Sequence, residues 1–234
     1  MLPIIEIKQL SFSYPDGKAA LDNISLQVET GEKIALVGAN GAGKSTLLLQ
    51  LNGILTGRGQ ITVQGLEVVK ENYHKVRALV GVVFQNPDDQ LFSPSVYEDV
   101  AYGPVYQGLD KAVIQARVTS ALESVGMLGF ETRNPYHLSS GEKKRIAIAT
   151  VLSMLPSILA LDEPSAGLDP RARRELIGLL HSLPQTMLIA THDLDLARQL
   201  TPRTIILNRG HIVADGPTDV LLKDHNLLME NGLV

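Results

Sequence analysis

The sequence predicts an α/β protein with a mostly parallel sheet, an N-terminal antiparallel β subdomain and an inserted α-helical subdomain. In the second half, short apolar runs typical of buried strands alternate with helical segments, which favours a parallel sheet. Residues 86–155 interrupt this alternation with a long helical stretch, which indicates a separate subdomain. The chain is long enough for a substantial core, as one large domain or two small ones.

The first residues carry the antiparallel signal. Apolar and polar side chains alternate along residues 5–10 and 24–28, as expected of half-buried strands. The pair Asp16-Gly17 between them favours a hairpin-type turn. The remaining expected strands are 34–37, 59–65, 80–84, 158–161, 186–190 and 204–207, and helical patterns cover 96–126, 139–152, 171–183 and 194–200.

Residues 38–45, Gly-Ala-Asn-Gly-Ala-Gly-Lys-Ser, match the phosphate-loop pattern G-x-x-x-x-G-K-[ST] between an apolar strand and a helix. The glycines let the backbone wrap around a phosphate, and the helix N-terminus favours an anion. We expect Lys44 to reach the β- and γ-phosphates of a nucleotide and Ser45 to ligate Mg²⁺. A mobile glycine turn beside a solvated lysine is the alternative. The expected nucleotide-binding residues here are Gly38, Asn40, Gly41, Gly43, Lys44, Ser45 and Thr46.

Two carboxylates end a later apolar strand, where Asp162 and Glu163 follow residues 158–161. In P-loop enzymes the aspartate at such a strand end holds Mg²⁺, so we expect Asp162 to bind the metal through water. A carboxylate at Glu163 would polarise an attacking water as a general base. The alternative is an acidic turn that only ends the strand.

Composition excludes several classes of protein. Because the chain has no cysteine, it has no structural disulfide and no thiolate metal site. A net charge of −4 and the lack of a long basic block argue against a nucleic-acid partner. The N-terminus lacks a signal-peptide pattern, and the longest uncharged apolar run, 146–161, falls short of the ~20 residues that span a bilayer. We expect a soluble chain without direct membrane insertion, which reaches a membrane only through partners.

Residues 137–145 are His-Leu-Ser-Ser-Gly-Glu-Lys-Lys-Arg and precede the paired carboxylates. Here the chain resembles the nucleotide-binding subunits of ABC transporters, whose signature is L-S-G-G-Q. This chain departs from that signature at Ser140 and Glu142. The resemblance covers essentially the whole chain, with its motifs in the family's order, and it implies ATP and Mg²⁺ as ligands.

The same resemblance implies a domain organisation. Residues 1–234 would form a single ABC ATPase domain with a P-loop NTPase core of the RecA-like type. Residues 1–85 and 156–234 would make up this nucleotide-binding core. Residues 86–155 would form the helical subdomain that carries the signature.

Side chains outside the phosphate motifs also acquire roles from the resemblance. Tyr14 would stack on adenine, and its alternative is a plain surface aromatic. Gln85 would act in catalysis and metal binding by sensing Mg²⁺ and the γ-phosphate, and its alternative is a loop cap. His192 would contact the γ-phosphate, and its alternative is a satisfied core histidine. Residues 165–169 would form the D-loop, which crosses a dimer interface.

The signature suits the nucleotide of a second copy. Ser139 and the N–H groups of Ser140 and Gly141 lie at a helix start, which is an anion site. The resemblance implies two cassettes, a homodimer or a heterodimer, that sandwich two ATP molecules until hydrolysis releases them. Because Ser140 replaces a glycine, we expect a negative φ there and weakened hydrolysis or an altered dimer affinity. The basic run 143–145 is expected on the solvated face of a helix.

Residues 84–92, Phe-Gln-Asn-Pro-Asp-Asp-Gln-Leu-Phe, discriminate best between kinds of cassette. They resemble the ATPases of energy-coupling factor (ECF) transporters, which import vitamins or transition-metal ions. Such importers join two cassettes to a transmembrane coupling protein and a small substrate-binding membrane protein. The Gly-Glu-Lys-Lys-Arg run is similar to the cobalt- or nickel-type branch. Leu91, Phe92 and Val96 either line a groove for a coupling helix or belong to the subdomain core.

We therefore expect a Mg²⁺-dependent ATPase that powers import as a dimer on the cytoplasmic face of the cell membrane. The sequence has one cassette and no long coiled-coil insertion, which argues against tandem translation factors and chromosome-maintenance ATPases. After about residue 216 only a short tail is expected, without a regulatory domain. The alternatives are a cassette of another ABC importer or exporter, and a soluble ABC ATPase without a permease.

Overall fold

The chain forms two sheets. Apolar and polar residues alternate in the first strands, which is typical of an antiparallel sheet with one face toward solvent, and continuous apolar runs in the later strands are typical of a buried parallel sheet. A computed structural model describes residues 3–234. The strands in this part of the chain are β1 (Ile5–Ser13), β2 (Ala19–Val28), β3 (Lys33–Val37), β4 (Arg58–Val63), β5 (Leu66–Glu67), β6 (Val80–Val83), β7 (Ile158–Asp162), β8 (Thr186–Thr191), β9 (Arg203–Asn208) and β10 (His211–Pro217).

The helices connect these strands, and three of the longer ones lie between β6 and β7 in the sequence. Most of them are short, and the longest are α4, α5 and α6. They are α1 (Lys44–Gln50), α2 (Tyr73–Leu79), α3 (Val96–Tyr106), α4 (Lys111–Ser124), α5 (Ser140–Leu152), α6 (Pro170–Ser182), α7 (Leu194–Leu200), α8 (Thr218–Leu221) and α9 (His225–Glu230). No helix within residues 3–234 is both long enough and apolar enough to cross a membrane.

The smaller sheet is antiparallel and has the order β2-β1-β4-β5. In it β1 pairs with β2 on one side and with β4 on the other. Inward-facing residues such as Ile5, Ile7 and Leu26 are buried, and the residues between them lie toward solvent. This confirms the predicted N-terminal antiparallel β region.

The larger sheet is mostly parallel and has the order β10-β9-β3-β8-β7-β6. Its central strand β8 is parallel to β3 and β7 and is buried along its whole length. At one edge of the sheet β10 is antiparallel to β9. Because β3, β7 and β8 run in the same direction, the residues that follow Val37, Asp162 and Thr191 meet at one edge. The predicted α/β class is confirmed.

The chain divides into two compact units. The first consists of residues 3–82, Ser157–Glu163 and Pro184–Val234, and it carries nearly all of both sheets. The second consists of Val83–Pro156 and Pro164–Leu183, and α3, α4 and α5 pack on one another within it.

One local expectation was wrong. The helical pattern over residues 96–126 forms two helices, because Gly108 adopts a φ of +72° after α3 and turns the chain.

The short segment after residue 216 forms α8 and α9. Leu222 and Leu228 of this segment are buried in the same cluster as Val37, so the segment is part of the core of the first unit.

Candidate active site

The phosphate-loop residues connect β3 to α1 in a tight backbone path. Gly43 has a φ of +107°, and a Cβ there would lie 2.5 Å from the Ala20 carbonyl oxygen. A side chain is therefore excluded at Gly43 by both backbone conformation and space. Lys44 begins α1, is buried, and donates its Nζ to the Gly38 carbonyl at 2.7 Å and the Ala39 carbonyl at 3.3 Å. Its ammonium thus lies against the loop that precedes it.

The acidic pair follows the carboxyl end of a central strand. Asp162 is the last residue of β7, and Glu163 comes next with a φ of +43°. A left-handed conformation is uncommon for a residue other than glycine and marks a locally constrained position. The Glu163 N–H donates to the Ala190 carbonyl at 2.8 Å, and the side chain is buried. Glu163 is therefore a buried residue fixed at the sheet edge, which argues against an acidic turn that only ends the strand.

Glu163 joins the phosphate loop to the histidine that follows β8. Its Oε1 lies 3.6 Å from Lys44 Nζ, and its Oε2 lies 2.9 Å from His192 Nδ1. The Thr191 hydroxyl and the His192 N–H also donate to Oε2, each at 3.3 Å. The His192 side chain is 63% exposed, which rules out the core-histidine alternative. The structure thus brings together three of the predicted site residues.

Tyr14 contacts the first helix instead of standing alone on the surface. Its hydroxyl lies 2.9 Å from the Thr46 hydroxyl, and its ring meets Phe12 edge to face. The ring itself is partly exposed, as a platform for a nucleotide base requires. Ser45 is exposed beside Thr46. The roles of Tyr14 and Ser45 in nucleotide and metal binding remain predictions.

In the second unit Gln85 follows β6 with its side chain exposed. Its carbonyl oxygen accepts a hydrogen bond of 2.6 Å from Lys144 Nζ. Lys144 is only 4% exposed, so the expectation that the whole run 143–145 is solvated was wrong for this residue. Lys143 pairs with Asp88 and Arg145 pairs with Glu175. The basic run therefore fastens α5 to its neighbours within this unit.

The signature residues cap α5. Ser139 Oγ accepts from the Glu142 N–H at 3.4 Å, and the Glu142 carboxylate accepts from both the N–H and the hydroxyl of Ser139, each at 2.8 Å. This reciprocal arrangement is a capping box. The hydrogen bonds from Ser139 lower the pKa of the Glu142 carboxyl below its usual range, the backbone bond contributing most. In this structure both Ser139 donors are directed to Glu142.

The next two signature positions differ in the space around them. Ser140 is the first residue of α5 and lies outside the left-handed region, which confirms the expected sign of its φ. A Cβ at Gly141 would lie 3.1 Å from Cβ of Ala172 on α6. Glycine at 141 therefore serves the packing of α5 against α6, besides any contact with a phosphate. The effect of Ser140 on hydrolysis remains a prediction.

Sequence comparison identifies the family to which these motifs belong. Residues 21–166 match the family described as ABC transporter. The chain is a member of the ABC transporter family. Its members hydrolyse ATP, so the chain is an ABC ATPase, as the phosphate loop and the acidic strand end predict.

Named relatives and a solved structure agree with this family. A putative ABC transporter ATP-binding protein of Gloeobacter violaceus is 54% identical over 100% of this chain and 97% of its own length. The energy-coupling factor transporter ATP-binding protein EcfA of Methanothermobacter thermautotrophicus is 47% identical over 98% of this chain and 76% of its own. The structure of cbiO1 from Clostridium perfringens, part of the ABC transporter complex cbiONQ, superposes with a TM-score of 0.86 at 37% identity, covering 100% of this chain and 96% of its own. The predicted resemblance to ECF ATPases is confirmed.

The segment after Gln85 has a divided role in this ABC ATPase. Leu91 and Val96 are buried, so they belong to the core of the second unit. Phe92 is 60% exposed and meets Tyr102 of α3 edge to face, with ring centroids 5.3 Å apart. The groove alternative therefore applies only to Phe92.

Sequence reasoning missed Gln90, Glu142 and Lys144 as structural residues of the second unit. The Gln90 side chain bonds Phe84, Ala147 and Thr150. The capping role of Glu142 had a visible signal, because S-x-x-E before an apolar run is the capping-box pattern. The contacts of Gln90 and Lys144 span 57 to 60 residues, and no local pattern announces them.

Replacing Lys44 by alanine should remove the ammonium expected to contact the phosphates of ATP. We expect the Kd for ATP to rise at least about 10-fold, which corresponds to the loss of a charge-assisted hydrogen bond. Titration with a fluorescent ATP analogue measures this. Lys70→Ala removes an exposed lysine of the same unit and should leave the Kd unchanged. Equal ATP affinity in both variants would refute the assignment of the phosphate loop.

Replacing Glu142 by glutamine should weaken the capping box in a pH-dependent way. Because folding lowers the pKa of Glu142, its charged form stabilises the fold above the ordinary value of 4.5 and loses this effect as pH falls through the lowered pKa. We expect the Tm of the variant to be a few degrees below that of the unchanged protein at pH 7. This difference in Tm should become smaller below pH 4.5. Glu123→Gln, on the exposed face of α4, is the control. A difference in Tm that does not change with pH would contradict this role.

Proposed function

We propose that this ABC ATPase is the ATP-hydrolysing subunit of an ECF importer that takes up a vitamin or a transition-metal ion. The observation that carries the proposal is the segment of residues 84–92, whose sequence resembles the ECF ATPases. The names of the EcfA and cbiO1 relatives support it. The Gly-Glu-Lys-Lys-Arg run, which resembles the cobalt- or nickel-type branch, favours a transition-metal ion.

ATP binds, in this proposal, along the phosphate loop with its adenine on Tyr14. Lys44 exchanges the Gly38 carbonyl for the β- and γ-phosphates, since its ammonium already lies in the loop at 2.7 Å from that carbonyl. The Thr46 hydroxyl, which contacts Tyr14 at 2.9 Å, links the base platform to the loop. The other loop residues bind phosphate oxygens through their N–H groups.

The residues present suit Mg²⁺. Ser45, Asp162 and Gln85 offer a hydroxyl, a carboxylate and an amide, and all three supply the oxygen donors that Mg²⁺ prefers. The ion usually keeps several waters and few protein ligands, which agrees with such a sparse set. When bound, Mg²⁺ neutralises charge on the β- and γ-phosphates. Ser45 and Asp162 would hold it, and Gln85 would sense it.

Glu163 is the general base of the proposed hydrolysis. Its Oε2 is occupied by Thr191 and His192, which orients the carboxylate. Its Oε1 lies 3.6 Å from Lys44, and the carboxylate would accept a proton from the attacking water. The exposed His192 ring would then contact the γ-phosphate.

Two cassettes close around two ATP molecules in the proposed cycle. Ser139 and Gly141 of one copy bind the γ-phosphate held by the other copy, and hydrolysis removes this contact. Because the Ser139 hydroxyl donates to Glu142 at 2.8 Å in this structure, it must turn away from Glu142 to reach a phosphate. The second cassette is either a copy of this chain or a different one.

The membrane partner of the proposed importer is a transmembrane coupling protein, joined by a small substrate-binding membrane protein. Phe92 and three residues on one face of α3, Tyr102, Val105 and Tyr106, leave an exposed apolar surface in the second unit. Such a surface suits the apolar face of an amphipathic partner helix. The ATPase would then be a peripheral protein on the cytoplasmic face of the membrane.

Replacing Glu163 by glutamine should trap the closed dimer, because ATP still binds but the base is absent. Size-exclusion chromatography with ATP should show a dimer for Glu163→Gln and a monomer for the same variant without ATP. Adding Lys44→Ala to Glu163→Gln should return the dimer to monomer, since nucleotide binding is lost. A monomer in every condition would refute the sandwich mechanism for this chain alone.

Affinity purification from the native membrane in mild detergent, with mass spectrometry of the co-purifying proteins, tests the importer type. We expect one coupling membrane protein and one small integral binding protein. A pair of ordinary permeases would reassign the ATPase to another ABC importer or an exporter. Recovery of no membrane protein, while a known complex from the same membrane stays intact, would favour a soluble ATPase.

A further inference from the structure

The Gln90 side chain joins the two ends of the segment of residues 84–90, which follows β6. The Phe84 N–H donates to Gln90 Oε1 at 3.1 Å. Gln90 Nε2 donates in turn to the Ala147 carbonyl and the Thr150 hydroxyl of α5, both at 2.8 Å. One amide therefore joins the two ends of the loop around Gln85 and fastens them to α5.

A second fastening lies at Gln85 itself. Lys144 of α5 is 4% exposed, and its Nζ donates to the Gln85 carbonyl oxygen at 2.6 Å. Burying an ammonium is unfavourable unless hydrogen bonds compensate it, so this position is specific rather than a solvated lysine that happens to touch the loop. The bond acts on the Gln85 backbone and leaves its side chain exposed for another contact.

The neighbouring lysine provides a contrast. Lys143 pairs with Asp88 at 2.6 Å, and the two side chains are 15% and 50% exposed. A partly exposed ion pair contributes little because water and salt screen it. Lys143 holds the side chain of Asp88, whereas Lys144 holds the backbone of Gln85 itself, so only Lys144 is expected to place Gln85.

The helix that carries Lys144 also begins with the signature. Ser139 caps α5 through the reciprocal hydrogen bonds with Glu142, so the first turn of the helix is firmly defined. Lys144 lies one turn further along the same helix. A displacement of the signature residues thus moves the donor that grips the Gln85 carbonyl.

We propose that Lys144 is a positioning residue that ties the Gln85 backbone to the signature helix. When the signature meets the nucleotide of a second copy, α5 sets the placement of the Gln85 side chain through this bond. Gln90 supports the same link from the other end of the loop. The inference rests on the proposed function, in which Gln85 senses Mg²⁺ and the signature binds a second ATP.

The test compares Lys144→Met with Lys144→Arg and Lys143→Met in steady-state ATP hydrolysis over a range of Mg²⁺ concentrations. For Lys144→Met we expect the Mg²⁺ concentration at half-maximal rate to rise about 10-fold, as is typical when a group that orients a metal-site residue is lost. Lys144→Arg should keep the Mg²⁺ concentration at half-maximal rate close to that of the unchanged protein, because a guanidinium can still donate to the carbonyl. Lys143→Met should behave as the unchanged protein. Binding of ATP without Mg²⁺ should be equal in all variants.

Gln85→Ala separates this inference from the function on which it rests. We expect Gln85→Ala to raise the Mg²⁺ requirement, and Lys144→Met to add little in the double variant, because residues that act through one another are not additive. If Gln85→Ala shifts the requirement and Lys144→Met does not, the positioning role of Lys144 is refuted while that of Gln85 stands. If Gln85→Ala has no effect, the sensing role of Gln85 fails first and the inference fails with it.

A second variant covers the case in which Lys144→Met does not fold, as judged by thermal unfolding. Gln90→Leu removes the other fastening of the loop and should produce the same rise in the Mg²⁺ requirement. A folded Gln90→Leu protein with an unchanged requirement would refute the proposed link between α5 and Gln85. An equal shift in Lys143→Met would also refute it, because the effect would then follow from the charge of the helix.

Discussion

Glu163 places a buried carboxylate at the edge of the parallel sheet, between the Lys44 ammonium and the His192 ring. The three residues follow three different strands, and they meet because β3, β8 and β7 are parallel neighbours that end at the same edge. A buried charge is tolerated only with such partners. Glu163 has a left-handed backbone, and its side chain contacts Lys44 of the phosphate loop and Thr191 and His192 at the end of β8.

In the second unit, α5 has the corresponding organising role. One helix carries the signature cap, the buried Lys144 that grips the Gln85 carbonyl, and Arg145, which pairs with Glu175 of α6. Its side chains therefore connect the residues of the signature to the loop after β6 and to α6. A run of three basic residues looks like a solvated face in the sequence, yet each member has a different partner in the structure.

Much of the site could be predicted because short sequence motifs specify it. The phosphate loop, the acidic pair after 158–161 and the capping residues of the signature depend on backbone conformations and helix starts that a few neighbouring residues specify. The exposure of His192 and the burial of Leu91 could not be predicted in this way. Each depends on which distant elements cover the side chain, and the sequence left both alternatives open.

The sequence by itself determined the chemistry of this ABC ATPase: the glycine loop, the paired carboxylates and the alternation of strands and helices require only local residue types and spacing. The tertiary structure alone decided which of these groups meet. Lys44 and Glu163 lie more than a hundred residues apart, and the 3.6 Å between them exists because parallel pairing brings their strand ends together. The burial of Lys144 against the Gln85 carbonyl was likewise decided by the tertiary structure. Hydrogen bonds between distant segments follow from packing, and no periodic pattern in the sequence predicts them.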